Sequence, residues 1–383
     1  MKKNINFTTL IGVNLVVFFS VMITIDLFLG DWIKPKPNAS KVPAALWNKN
    51  TTYDVSELYG SKEKIYTNYT RDEKGYRGLK GQTSKLQILT IGGSTTDQRF
   101  LSDLETWQSF LEKSLPNNFN VINGGVNGQS TYGHLFSIKH WHSQELSSYK
   151  IPLIIFYLGV NDTRLLNQGS QGLVEYDNLY QGKSLLHKIR IALSRNSFLY
   201  ARIRNIKNRI FNLIGANKDG IVWAGNYLGS TLLSDPGIFY NIPDPQNKSG
   251  YNYYIQLVKD LVLETRKSFP NSKILIAQQK IAVCRFVNEK SVWNLHPDNS
   301  KHVPDSTLEE GENYCIDVGQ VFMAQDRAIY DMKPSIRPSV VKFYLKDILN
   351  DDSTFDYIHH NQKGSKQISE ALIPIVKKIL QIH

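Results

Sequence analysis

Five short apolar runs constrain this chain more than any other feature: Leu86–Ile91, Phe119–Ile122, Ile154–Leu158, Lys273–Ala277 and Val340–Leu345. Each has the length of a strand, and most lack the strict apolar–polar alternation of a strand with one wet face. Such runs fit strands buried on both faces. Between them fall stripes at helical spacing: Trp107, Phe110, Leu111 and Leu115; Tyr254, Leu257, Leu261 and Val262; and Ile368, Leu372, Ile375, Val376, Ile379 and Leu380. Alternating strand and helix implies a parallel sheet covered on both sides, a three-layer α/β/α sandwich. In such sheets ligands bind beyond the carboxyl ends of the strands.

Four groups of residues occupy such positions. After the first run come Gly92, Gly93 and Ser94, a strand-to-helix turn that leaves a serine hydroxyl unobstructed. After the second comes Asn123-Gly124-Gly125-Val126-Asn127-Gly128-Gln129-Ser130. After the third comes Gly159-Val160-Asn161-Asp162, and after the fifth comes Asp356-Tyr357-Ile358-His359-His360-Asn361, leading into the last helix. Taken singly, each has a plainer reading: a turn, a tight loop, a helix cap, a loop ion pair. Their joint order carries the weight. A serine so presented is a candidate nucleophile, and it needs a base and an oxyanion site nearby.

In that order of serine, glycine, asparagine and aspartate–histidine blocks, the chain resembles the SGNH/GDSL hydrolase family over roughly residues 70 to 380. Lys74-Gly75-Tyr76-Arg77-Gly78 is similar to the lead-in of membrane-anchored members associated with bacterial polysaccharides. The resemblance implies a flavodoxin-like sandwich on a five-stranded parallel sheet. It implies Ser94 as nucleophile, His359 as base and Asp356 as the carboxylate that orients it. It also implies the Ser94 and Gly128 backbone N–H groups and the Asn161 amide as oxyanion donors. The departure is Gly93, where many members carry an aspartate outside the triad. His360 is the rival base, four residues from Asp356; the family spacing favours His359. The chemistry agrees with these roles: neutral imidazole takes the hydroxyl proton, and a carboxylate on its other nitrogen fixes the tautomer. No cofactor is implied. His134, His140 and His142 invite a metal reading, but a spacing of two is wrong for one helix face and no cysteine or carboxylate set accompanies them.

The N-terminus carries Lys2 and Lys3 before an apolar stretch from Leu10 to Leu29. About 20 apolar residues cross a bilayer as a helix. Leu27-Phe28-Leu29-Gly30 is a poor cleavage site, which favours an uncleaved anchor over a cleaved signal. Positive charge ahead of the span keeps that end in the cytoplasm, with the rest of the chain outside it, facing periplasm, cell surface or lumen, the periplasm foremost. The expected organisation is therefore an anchor over 1–31, a proline-stiffened stalk over 32–69, and a hydrolase-like domain over 70–383 with an insertion at 163–250. Within the insertion, Lys188, Arg190, Arg195, Arg202, Arg204, Lys207 and Arg209 alternate with apolar residues and no acid occurs from His187 to Gly215. This basic amphipathic stretch over 187–215 suits an anionic membrane surface, an acidic polysaccharide, or packing on the domain itself.

Cys284 and Cys315 either pair in an oxidising compartment or stay buried as thiols. Asn50, Asn68 and Asn247 open short glycosylation sequons. A net charge of +11 favours anionic surroundings, and the absence of a nucleic-acid motif places nucleic acid last among them. The expectation is a membrane-anchored serine esterase that removes acyl groups, acetyl foremost, from a cell-envelope or exported polysaccharide through an acyl-enzyme. The alternatives are an acyltransferase with the same triad, a lipase or lysophospholipase, and a non-catalytic carbohydrate-binding or assembly subunit.

Overall fold

The computed structural model describes residues 7–30, 32, 46, 49–78, 84–172, 189, 193, 197–200, 202, 203, 206, 238–241, 245–279, 285–287, 292–295, 308–333, 336, 340–344, 353–355 and 358–382. Its strands among these are β1 (Lys49–Asp54), β2 (Tyr66–Arg71), β3 (Leu86–Gly92), β4 (Phe119–Asn123), β5 (Lys150–Leu158), β6 (Ile238–Asn241), β7 (Lys273–Gln278), β8 (Arg285–Val287), β9 (Val292–Leu295) and β10 (Val340–Tyr344). The chain divides into two compact units.

The larger unit is built on a parallel sheet in which β4, β3, β5 and β7 lie side by side and β10 pairs at the edge beside β7. Because side chains alternate across a strand, each apolar run feeds two cores. Leu89, Ile91, Ile154, Phe156, Ile274 and Ile276 face one way, onto Leu257, Leu261, Val318 and Val321 of the helices Lys248–Ser268 and Leu308–Tyr330. Ile88, Val121, Leu153, Ile155 and Leu275 face the other, onto Trp107 and Leu111 of the helix Trp107–Lys113 and Ile368, Leu372 and Val376 of the helix Gln362–Leu380. The result is the α/β/α sandwich, with both sheet faces dry.

Strand order places the site. From β3 the chain crosses to β4 on one side, and β5 then lies on the other side of β3. The strand order thus reverses between β3 and β5, the kind of position beyond whose carboxyl ends such sheets bind ligands.

The stalk expected over 32–69 is corrected in its second half. β1 and β2 form an antiparallel hairpin running from Lys49↔Arg71 to Asp54↔Tyr66. Val55, Leu58 and Tyr69 are buried, and the segment belongs to the larger unit. Thr70 fastens it by donating its N–H and hydroxyl to the Asp103 carboxylate. A second antiparallel sheet, β6–β9–β8, joins the end of the expected insertion to residues beyond β7.

The smaller unit contains the helix Phe7–Leu29, of which Ile11–Leu29 is long and apolar enough to cross a membrane or serve as a signal sequence, with a hydropathy of 2.2 and none of it buried. Near its end, Asp26 accepts hydrogen bonds from the Ser197 hydroxyl and the Leu199 N–H, both at 2.9 Å. Most of 187–215 lies outside the described residues, as does Cys284.

Candidate active site

β3 ends at Gly92, and Ser94 opens a four-residue helix, Ser94–Asp97. The chain leaves that helix through Gln98, in the left-handed region at φ 48°. Gln98 earns that conformation by its side chain: the carbonyl accepts from the Trp107 N–H at 2.9 Å, and the amide donates to the Ser365 hydroxyl at 2.5 Å. The serine turn is thereby tied to two helices of one layer.

His359 arrives from the opposite end of the chain. Its Nε2 stands 2.9 Å from Ser94 Oγ, and both residues are half-buried. The imidazole is carried by a closed loop ahead of the last helix. In that loop Phe355 N–H donates to the His359 carbonyl at 2.8 Å, and Asn361 N–H to the Ser353 carbonyl at 3.0 Å. Asn361 then caps the helix Gln362–Leu380 by accepting from Gly364 N–H at 3.1 Å. The Phe100 ring packs edge-on against the imidazole, with centroids 5.9 Å apart. His360 points elsewhere: it is buried, with Nε2 3.2 Å from the Tyr157 hydroxyl. Asp356 lies outside the described residues.

Asn161, in the loop after β5, donates through Nδ2 to the Gln129 carbonyl at 2.9 Å. A carboxamide has two N–H donors, so one remains beyond that bond. The amide nitrogen lies so close to Gly93 that a Cβ there would collide with it. This explains the glycine at 93: a side chain would displace the neighbouring amide. Gly128 sits in the facing loop and is held through its carbonyl by Arg164 Nη2 at 2.9 Å. Asp162, read from the sequence as a possible cap for its own helix, caps another instead. Its carboxylate accepts from Thr131 N–H at 2.7 Å, at the start of the helix Thr131–Ser137, and from the Tyr254 hydroxyl at 3.0 Å. Burial pushes its carboxyl up to about 6.

Two arginines that sequence reasoning did not single out for a role brace these loops. Arg71, fully buried, pairs with Asp97 at 2.6 Å and donates to the Gly75 and Gly125 carbonyls at 2.6 and 2.5 Å. Arg77 pairs with Asp103 at 3.0 Å and donates to the carbonyls of Asp97, Gln98 and Leu101. Burial would raise the Asp97 carboxyl, but the guanidiniums of Arg71, Arg99 and Arg77 outweigh it and hold the group below the ordinary carboxylate range. Arg77 belongs to the Lys74–Gly78 lead-in, so that motif acts here as a brace under the serine turn. The signal that could have found this is two arginines, one just ahead of the lead-in motif and one within it.

Ser94, Thr95, Gln98, Arg99, Phe100, Asn127, His359 and His360 line a small open cavity. The three histidines weighed as a metal cluster lie elsewhere in the packing. His142 is buried, stacked on Tyr76 and Trp141, with Nδ1 2.9 Å from the Tyr76 hydroxyl. His140 packs on Phe136, and His134 is buried. No group of three His, Cys, Asp or Glu side chains able to hold a metal occurs among the described residues.

No protein-family model matches the chain, and no curated protein does. Solved structures similar to it include one described as a GDSL-like lipase from Bacteroides ovatus, at 12% identity and a TM-score of 0.41, covering 84% of this chain; the chain spans 58% of that structure's length. A carbohydrate acetylesterase family member from Sinorhizobium meliloti matches at 13% identity and a TM-score of 0.34, over 78% of this chain and 100% of that one. A carbohydrate esterase family 2 enzyme with a carbohydrate-binding domain, from Corynascus thermopiles (Myceliophthora fergusii), matches at 11% identity and a TM-score of 0.41, over 83% and 71%. At such identities and scores these likenesses decide nothing about activity.

Proposed function

We propose that this protein is a serine esterase of the SGNH kind, held at a membrane by its N-terminal helix, which removes acetyl or similar acyl groups from an extracytoplasmic polysaccharide. The observation that carries the reading is the 2.9 Å separation of Ser94 Oγ and His359 Nε2, beyond the carboxyl end of β3.

The chemistry runs as follows. Neutral His359 takes the Ser94 proton as Oγ attacks the ester carbonyl carbon. The carbonyl oxygen becomes an oxyanion, stabilised by the free N–H of Asn161 and the backbone N–H groups of Ser94 and Gly128. The tetrahedral species collapses as imidazolium returns its proton to the departing sugar oxygen, leaving an acyl group on Ser94. Water, deprotonated by His359, then releases the acid. Asp356 serves as the carboxylate that orients the imidazole.

The test is fluorophosphonate labelling and acetate release by the detergent-solubilised full chain, beside a Ser94→Ala control. The expected result is an adduct and acetate release that both vanish in the variant. A folded protein with neither would point to a binding subunit, and acetate release surviving in Ser94→Ala would refute the assignment.

A further inference from the structure

The cavity beside Ser94 contains a cation with no assigned work. Arg99 leaves the Ser94–Asp97 helix at its far end, is half-buried, and lines the cavity together with Ser94 and His359. It is the one formally charged side chain among the lining residues described. No ion pair joins Arg99 to a carboxylate among the described residues. The acid whose field it shares, Asp97, is buried and already engaged by Arg71 at 2.6 Å and the Tyr69 hydroxyl at 2.7 Å. Its guanidinium carbon lies 5.9 Å from the centroid of Phe100, the ring that also packs on His359. Arg99 is thus held on the same aromatic support as the imidazole, and among the described residues no carboxylate pairs with it.

We propose that Arg99 is a specificity-determining residue, which binds a carboxylate of the substrate and selects acylated acidic sugars over neutral ones. The inference rests on the esterase reading above and names the substrate class of that site. A guanidinium presents a planar fork of donors that matches a carboxylate bidentately. Among the described lining residues the wall carries a cation and no anion, which favours an anionic polymer over a neutral one. The chain's net charge of +11 favours the approach of the same polymer over longer range.

The test uses the full chain in neutral detergent with two substrates of matched length, O-acetylated oligoglucuronate and O-acetylated oligoglucose. The readout is the ratio of their kcat/KM values within each variant. Wild type should favour the glucuronate ester, and Arg99→Gln should lower the ratio roughly tenfold or more, the usual effect of losing a charge-assisted hydrogen bond. Arg99→Lys should recover part of the ratio, and added salt should shrink it. An unchanged ratio, or a parallel fall with both substrates, would overturn the proposal, since a residue that stabilised the oxyanion would act on both equally. A second measurement needs no turnover: calorimetric binding of unacetylated oligoglucuronate to Ser94→Ala, with and without Arg99→Gln. Weakened binding in the double variant supports the proposal and equal binding refutes it, whereas acetate release persisting in Ser94→Ala sinks the esterase reading alone.

Discussion

At position 93 a hydrogen atom stands where another residue would place a Cβ, and the Asn161 amide fills the space. Gly93→Ala should therefore act as a substitution of Asn161. Each of Gly93→Ala and Asn161→Ala should cut kcat on acetyl esters by on the order of 100–1000-fold, the usual cost of one oxyanion donor. The double variant should be no worse than either single, because both remove the same donor; additive losses in a steady-state assay would separate the two residues. Arg71→Met leaves the buried Asp97 without its nearest counter-charge and should cost about 3–5 kcal/mol in urea unfolding. Two buried groups set opposing pH trends. Burial, then the charges of His134 and Arg71, holds the His142 imidazole well below 6.5, so its share of stability is full above 6.5 and is lost as pH falls, when the unfolded chain takes up a proton the folded one refuses. Asp162, raised by burial to about 6, works in reverse: its share is full below 3.8 and lost as pH rises through about 6. Urea unfolding across this range should show His142→Phe lessening the loss of stability on acidification, and Asp162→Asn lessening the loss as pH rises.

Among the elements, the strands of the sheet and the helices that cover it were legible because their signals are local. An apolar run or a 3.6-residue stripe reports burial wherever the element finally packs. The β1–β2 hairpin was not legible. Its residues, Lys-Asn-Thr-Thr-Tyr-Asp and Tyr-Thr-Asn-Tyr-Thr-Arg, are polar, and they order through long-range contacts: Tyr69 to Asp97, Thr70 to Asp103, Arg71 to Gly125. The closing helix shows how an element serves the site. Gly364, in its first turn, approaches Ser353 so closely that a Cβ would collide with the Ser353 carbonyl oxygen. Gly364→Ala should push the helix off the loop that carries His359. It should cost about 1–3 kcal/mol by thermal or urea unfolding, the range of overpacking, and kcat should fall while Ser94 itself is untouched.

For the whole molecule, the proposed anchor is the helix Phe7–Leu29. At 1.5 Å per residue, the 19 residues of Ile11–Leu29 span roughly the 30 Å of a bilayer core. The full chain should fractionate with membranes, resist extraction at alkaline pH, and retain its N-terminus on sequencing; a mature N-terminus beginning beyond Leu29 would identify a cleaved signal instead. The sequence by itself determined the layers of the sandwich, the serine at the end of the first sheet strand and the apolar leader, since each is written in neighbouring residues. It left the choice between His359 and His360 to be made by resemblance and said nothing of the braces at Arg71 and Arg77. Only the tertiary structure decided which imidazole stands beside the Ser94 hydroxyl and which lies against Tyr157, and what the two arginines hold. Ser94 and His359 are 265 positions apart, and strand order, the turn of one loop and the direction of one side chain set the distance between them.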